Sequence, residues 1–159
     1  MALKLVSEGF ENGGRIPPRY TREGENTSPP FYWEEAPEDA GSLVLIMEDA
    51  DARQGPVTHW IVYDIPAELK GLPQGPCGLC KIGRNDFAGV CYAGPDPYPG
   101  DPQHRYCFRL YAIDAEELGL PHGATRAQLD AALSGRVLDE AELIGLYGRT
   151  MEHERRRVG

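Results

Sequence analysis

The stretch His104-Arg105-Tyr106-Cys107-Phe108-Arg109-Leu110-Tyr111-Ala112-Ile113 decides the fold class of this chain. Tyr, Phe, Leu and Ala occupy every second position from 106 to 112, which is typical of a β-strand with one face on a core. Arg105 and Arg109 fall on the opposite face. If the strand is regular from its first residue, His104 and Tyr106 point to the same side, about 7 Å apart.

Two further strands are predicted upstream. The run 42–47 (SLVLIM) is almost continuously apolar, which is typical of a strand covered on both faces. The run 60–65 (WIVYDI) is rich in β-branched and aromatic residues, and Pro66 ends it. Nineteen glycines and 14 prolines among 159 residues predict many tight turns, such as the cluster at 94–100.

Helices are predicted only late in the chain. Residues 125–128 (TRAQ) form a capping box, so a helix is expected near 125–134. A second helix is predicted over 139–153, with an apolar stripe of Leu143, Ile144, Leu146 and Tyr147. Strands followed by two short helices predict a mainly β fold, an antiparallel β-sandwich with a few peripheral α-helices. The length predicts one domain over 1–159.

Charge and hydropathy disfavour some classes of function. Sixteen basic and 25 acidic residues give a net charge of −9, which argues against nucleic acid as a partner. No apolar run approaches the roughly 18 residues of a transmembrane segment, and the first residues lack the apolar region of a signal peptide. A cytoplasmic protein is therefore expected.

The four cysteines allow more than one interpretation. Cys77 and Cys80 have the C-x-x-C spacing of redox motifs and zinc knuckles, whereas Cys91 and Cys107 lie singly in strand-like runs. A structural zinc site needs four ligands, and no βαβ pattern surrounds the pair. Structural thiols are favoured, and a local disulfide or metal knuckle stays open.

Polar residues gather where the predicted strands end. Asp49 and Asp51 follow the strand at 42–47, His59 precedes the next strand, and His104 and Tyr106 begin the last one. Each has an ordinary structural explanation, since aspartates after a strand often hydrogen-bond their own turn. Together, a carboxylate, imidazoles and a phenol at the strand ends predict a small pocket.

Five motifs resemble those of one known family. They are residues 26–33 (NTSPPFYW), 47–52 (MEDADA), 59–66 (HWIVYDIP), 83–87 (GRNDF) and 104–114 (HRYCFRLYAID). In this order they are similar to the motifs of the phosphatidylethanolamine-binding proteins, in particular the bacterial and archaeal, Raf kinase inhibitor protein-like branch. The predicted strand-rich start and helical end fit that family over nearly the whole chain.

The resemblance implies a β-sandwich with a small anion pocket near one end. It implies a non-enzymatic binding or regulatory protein for a phosphate-type anion or phospholipid head group, modulating a protein kinase or other phosphorylated partner, with no cofactor or metal. Imidazole N–H and phenol O–H groups suit phosphate-like oxygens, and Asp49 is expected to orient an imidazole and to favour protonated histidines. The implied ligand-binding residues are Asp49, His59, Gly94, Pro97, His104 and Tyr106.

Departures from the family pattern lie near this pocket. Ala50 and Arg53 stand where the family motif has prolines, and Asp96 and Tyr98 replace the usual Cys and the last Pro of G-P-C-P-P. A carboxylate at position 96 opposes an anion unless Arg53 pairs with it.

A second function and an assembly are also considered. A small metal-dependent or metal-free hydrolase could use Asp49, His59 and His104, since two histidines and a carboxylate meet the minimum for a catalytic metal. No H-E-x-x-H motif or nucleophile–base pair supports it. A homodimer is predicted from exposed aromatic candidates, which are Tyr32, Trp33 and Tyr98.

Overall fold

Two antiparallel β-sheets enclose the main core in the computed structural model, which describes residues 2–149. The smaller sheet has the order β1-β2-β5 and the larger one β6-β4-β3-β7-β8. The strands are β1 (Lys4–Val6), β2 (Phe31–Glu34), β3 (Ser42–Asp49), β4 (Val57–Pro66), β5 (Gly71–Leu72), β6 (Lys81–Ile82), β7 (His104–Ile113) and β8 (Val137–Tyr147). The predicted mainly β sandwich is confirmed.

Strand β3 occupies the centre of the larger sheet. It pairs with β4 on one side and with β7 along its whole length on the other. Leu45 and Met47 belong to the main core between the sheets, whereas Val44 and Ile46 belong to a second core on the outer side. Both faces of β3 are thus covered, as its apolar run predicts.

The one α-helix within residues 2–149 covers the outer face of the larger sheet. Helix α1 (Arg126–Leu133) begins after Thr125, whose side chain accepts a hydrogen bond from the backbone N–H of Gln128. The Gln128 side chain accepts the backbone N–H of Thr125 in return. Leu129 and Leu133 of the helix belong to the outer core. The predicted capping box and helix are confirmed.

The second predicted helix is wrong within the described residues, because that segment forms β8. Its backbone pairs with β7 over the full length of the strand, and the segment 13–16 hydrogen-bonds its other edge. Residues 150–153 of the predicted helix lie outside the described residues.

The four apolar residues expected to form one stripe of that helix lie on both faces of β8. Leu143, Gly145 and Tyr147 are buried at every second position, whereas Ile144 and Leu146 between them are only half-buried. Four apolar residues within five positions fit a short helical stripe as well as a strand, so the pattern alone does not separate the two.

The exposed aromatic candidates divide between surface and core. Tyr32 is 38% exposed and Tyr98 is 64% exposed, but Trp33 is only 3% exposed and lies in the main core. Consecutive residues of β2 point to opposite faces, so Tyr32 and Trp33 cannot share the surface. The expectation that Trp33 is exposed is wrong. No helix among residues 2–149 is long and apolar enough to cross a membrane.

The variant Gly145→Ala tests β8, because a strand and a helix predict opposite signs. In a helix the change would stabilise by about 1 kcal/mol. In β8 the new Cβ would lie 2.5 Å from the Ile16 side chain and 2.8 Å from that of Phe10, so overpacking is expected to lower the free energy of unfolding by about 1–3 kcal/mol. Urea denaturation measures the difference. Gly78→Ala, where a Cβ would meet nothing within 4 Å, is the matched control.

Candidate functional site

A cavity of about 630 Å³ lies where β3, β4 and β7 meet the loops at one end of the larger sheet. Its lining includes five of the six residues that the resemblance implies, which are Asp49, His59, Pro97, His104 and Tyr106. The sixth, Gly94, is not part of the lining. Gly94 donates its N–H to Asn26 Oδ1, and a Cβ on it would clash with the carbonyl oxygen of Tyr20, so it packs against a neighbouring loop.

Strand register brings these residues together from distant parts of the sequence. Asp49, the last residue of β3, lies opposite Tyr106 of β7. His104, two residues earlier in β7, is the first residue of its strand. Because β3 and β7 are antiparallel, the end of one strand and the beginning of the other meet at the same edge of the sheet.

A β-bulge adds His59 from the other neighbour of β3. Met47 pairs with Trp60 and Glu48 with Thr58, which leaves His59 as the extra residue of β4. The strand begins at Val57, so His59 lies within it and not before it as the sequence predicts. The ring of His59 meets that of Tyr106 edge-on, with the centroids 5.4 Å apart.

Asp49 holds the imidazole of His104. His104 Nδ1 donates to Asp49 Oδ2 at 2.7 Å, and both side chains are more than 90% buried. The other oxygen, Asp49 Oδ1, accepts the backbone N–H of Asp51 at 2.9 Å. Asp49 therefore closes its own turn and orients an imidazole at the same time. Asp51 forms a bidentate pair with Arg105 and is not part of the cavity lining.

The second nitrogen of His104 also faces a carboxylate. His104 Nε2 lies 3.4 Å from Asp101 Oδ2, and Asp101 in turn accepts from Arg53 at 2.6 Å. The hydrogen bond from Arg53 holds the pKa of Asp101 below its usual value, so this carboxylate stays charged. In this arrangement both ring nitrogens of His104 are directed at protein carboxylates.

His59 is a neutral imidazole at neutral pH. Burial lowers its pKa, although a hydrogen bond from Nδ1 to the carbonyl of Ala93 at 2.7 Å and the charge of Asp49 act in the opposite direction. The expectation that His59 favours its protonated form is therefore wrong. In the neutral tautomer that donates from Nδ1, Nε2 is an acceptor, and it becomes a donor only on protonation.

Tyr106 is a phenol that keeps its proton. Burial and the neighbouring carboxylate of Asp49 raise its pKa well above the usual value for tyrosine. Its ring is stacked on that of His104, with the centroids 6.3 Å apart. Tyr106 thus remains an O–H donor throughout the neutral range.

Two arginines complete the lining, and the sequence motifs identify neither as a binding residue. Arg53 lies over the ring of Tyr98 as well as pairing with Asp101. Arg22 lies over the ring of Phe87, with its guanidinium carbon 5.1 Å from the centroid. Arg22 makes no ion pair with any residue among 2–149. It lies outside all five motifs, so the sequence carries no signal for it.

Asp96 is paired, but not with Arg53. Arg149 donates to Asp96 Oδ1 at 2.7 Å. The Asp96 side chain is 41% exposed, so it lies at the rim of the cavity. The cation that offsets this carboxylate comes from the segment after β8, which no motif connects with the pocket.

The hydrolase hypothesis requires a metal or an activated nucleophile beside the histidines. Within residues 2–149, no three His, Cys, Asp or Glu side chains form a group that could hold a metal ion. His104 and Asp49 form a hydrogen-bonded pair, but His104 Nε2 points at Asp101. The geometry therefore adds no observation in favour of hydrolysis.

The titration of His59 tests the electrostatics of the cavity. Because burial penalises the imidazolium, the midpoint in the folded protein is expected below the ordinary histidine value of about 6.5. As the pH falls from 6.5 through that midpoint, the unfolded chain binds more protons, so the His59 contribution to the free energy of unfolding falls. NMR of the ring protons, assigned with His59→Gln, measures the midpoint. A midpoint above 6.5 would contradict the dominance of burial.

The family model of the phosphatidylethanolamine-binding proteins matches residues 6–148. A UPF0098 protein of Aquifex aeolicus is 44% identical over 153 residues, which cover 92% of this chain and 89% of that protein. A UPF0098 protein of Methanothermobacter thermautotrophicus is 44% identical over 154 residues, covering 92% of this chain and 99% of that protein.

Two solved structures share the fold. A phosphatidylethanolamine-binding protein homologue from Chlamydia trachomatis has a TM-score of 0.88 and 36% identity, and the match covers 94% of this chain and 99% of that one. YbcL of Escherichia coli, described as a new member of the mammalian family, has a TM-score of 0.88 and 26% identity, covering 94% and 100% of the two chains.

Proposed function

This chain belongs to the phosphatidylethanolamine-binding protein family, and we propose that it binds a phosphate-type anion or phospholipid head group in the cavity beside His59. It acts as a non-enzymatic binding or regulatory protein. Family membership supports the binding role. The observation that carries the finer proposal is that Arg22, His59 and Tyr106 line one cavity, which brings a guanidinium, an imidazole and a protonated phenol to the same space.

Arg22 supplies the positive charge in this proposal. Its guanidinium is placed over Phe87, which in turn meets the ring of His59 edge-on with the centroids 5.0 Å apart. Guanidinium groups bind phosphate oxygens through charge-assisted hydrogen bonds, and this one has no carboxylate partner among the described residues. An anion in the cavity would supply that partner.

His59 and Tyr106 supply the polar contacts. Neutral His59 offers a lone pair at Nε2, which suits the P–OH of a monohydrogen phosphate, and protonated His59 offers an N–H in the same direction. Tyr106 keeps its proton in both cases, and an anion would compete with Asp49 for its O–H. His104 is less available to a ligand, because its Nδ1 donates to Asp49 and its Nε2 lies 3.4 Å from Asp101.

The acidic residues near the cavity repel an anion less strongly than their number alone would predict. Three carboxylates each have a donor or cation of their own, which offsets part of their repulsion. These pairs are Asp49 with His104, Asp96 with Arg149, and Asp101 with Arg53.

The proposal extends to partners through the same chemistry. A phosphorylated protein, including a protein kinase that the chain would modulate, would be recognised by its phosphate group. A homodimer would use surface aromatics such as Tyr32 and Tyr98, and light scattering at micromolar concentration distinguishes dimer from monomer. The cytoplasmic location and the single domain over 1–159 stay predictions of the sequence.

Replacing Arg22 tests the anion site. Arg22→Gln is expected to weaken inorganic phosphate binding at least tenfold, because a charge-assisted contact contributes about 1.5–3 kcal/mol. The measurement is the His59 chemical shift during a phosphate titration, starting from a dissociation constant near millimolar, or about −4 kcal/mol. Arg136→Gln makes the same charge change at an exposed residue and is the control. Equal affinity of both variants would contradict the role of Arg22.

Replacing Asp96 tests the charge at the rim. Asp96→Asn is expected to tighten phosphate binding, since it removes a negative charge at the rim of the cavity. Binding is also expected to strengthen as the pH falls through the lowered pKa of His59, because the anion stabilises the imidazolium. Titrations at pH 5.5 and 8, with phosphoethanolamine in parallel, separate a bare phosphate from a head group. If the His59 resonances ignore both probes at both pH values in both proteins, the proposed function fails.

A further inference from the structure

The C-x-x-C pair is brought together in the loop that joins the edges of the two sheets. Residues 73–80 connect β5, an edge strand of the smaller sheet, with β6, an edge strand of the larger one. Within this loop Cys77 Sγ and Cys80 Sγ lie 3.1 Å apart, and both are free thiols. Neither thiol lines the cavity beside His59.

We propose that Cys77 and Cys80 form a redox-active dithiol, which closes to an intrachain disulfide by exchange with a low-molecular-weight disulfide. A disulfide needs a separation of about 2.05 Å, so the sulfurs must approach by only about 1 Å. The loop is anchored near its start, where Gly75 N–H donates to the carbonyl of Ser28 and Ser28 Oγ donates to the carbonyl of Gly75. The fold therefore holds the pair close to the bonded geometry.

The two thiols have different surroundings. Cys77 is half-buried and lines a second cavity of about 450 Å³. Cys80 is only 8% exposed and packs in the main core, although it also lines a third cavity of about 460 Å³. Burial raises the pKa of Cys80 to about 12. Cys77 is thus the sulfur that meets a dissolved oxidant, and Cys80 is the sulfur that resolves the product.

The exchange proceeds in two balanced steps. The Cys77 thiolate attacks one sulfur of a small disulfide RSSR, forms a Cys77–SR mixed disulfide and expels RS⁻. The Cys80 thiol then gives its proton to that RS⁻ and attacks Cys77 Sγ, which expels the second RS⁻. With the proton that Cys77 released at the start, the products are one protein disulfide and two RSH. Two protein thiols are oxidised and one RSSR is reduced.

The other two cysteines serve as comparisons within the same chain. Cys91 is exposed and lines the same second cavity as Cys77, and Cys107 is buried in β7. Among the described residues, a close contact between two sulfurs occurs at Cys77 and Cys80. Exposure alone would therefore favour reaction at Cys91, whereas proximity favours the Cys77–Cys80 pair.

The test equilibrates the folded protein with oxidised glutathione and then caps the remaining thiols with N-ethylmaleimide. Trypsin releases residues 71–81 as one peptide that contains both cysteines. We expect this peptide to carry no N-ethylmaleimide and to be lighter by two hydrogens than the reduced peptide. After reduction with dithiothreitol and renewed capping, we expect it to carry two N-ethylmaleimide groups. Cys91→Ser and Cys107→Ser are expected to leave the result unchanged. A peptide that stays fully capped in the wild-type protein overturns the proposal, as does a disulfide from Cys77 to Cys91.

The order of the steps is tested with the single variants. Cys80→Ser is expected to trap glutathione on Cys77, whereas Cys77→Ser is expected to leave the buried Cys80 unmodified. Glutathione on Cys80 as readily as on Cys77 overturns the order. Circular dichroism checks that each variant is folded. If Cys80→Ser is not folded, the proposal is decided by whether the wild-type peptide contains the disulfide. The outcome is independent of phosphate binding.

Discussion

The hydrogen bonding of β3 on both sides is the constraint on which the rest of the structure depends. Strands β4 and β7 run antiparallel to it, so both begin near its last residue, at the same edge of the larger sheet. Its alternate side chains fill two separate cores, one against the smaller sheet and one against helix α1. Asp49 ends the strand with its backbone in the sheet and its carboxylate at the cavity, so the site is an extension of the most buried element of the fold.

Electrostatic pairing around that carboxylate determines which side chains of the cavity remain able to bind a ligand. Asp49 accepts from His104, and Asp101 faces the other nitrogen of the same ring and pairs with Arg53 in turn. His59 is held differently, by a backbone carbonyl and by burial. The two histidines, equivalent as residue types, therefore have different roles. Among the residues lining the cavity, Arg22 is the cation left to a ligand.

The edges of the two sheets carry different features from the central strands. The edge of β8 is covered by the segment 13–16, and the edge strands β5 and β6 are joined by the loop that carries the two neighbouring thiols. The central strands place the polar cavity, whereas the connection between the two sheets places the cysteine pair. The two proposals thus rest on separate parts of the molecule.

Local patterns in the sequence by themselves determined β7, the interior strand β3 and the capped start of α1. The five motifs indicated Asp49, His59, His104 and Tyr106 of the cavity lining, and the resemblance at 94–98 indicated Pro97. Tertiary structure alone decided the rest. Residues 143–147 fit a helical stripe or a strand, and pairing with β7 and packing of Gly145 on Ile16 selected the strand. The partner of Asp96, the placement of Arg22 over Phe87 and the lowered pKa of His59 depend on groups that meet only after folding, since charge pairing and burial are properties of three-dimensional distance.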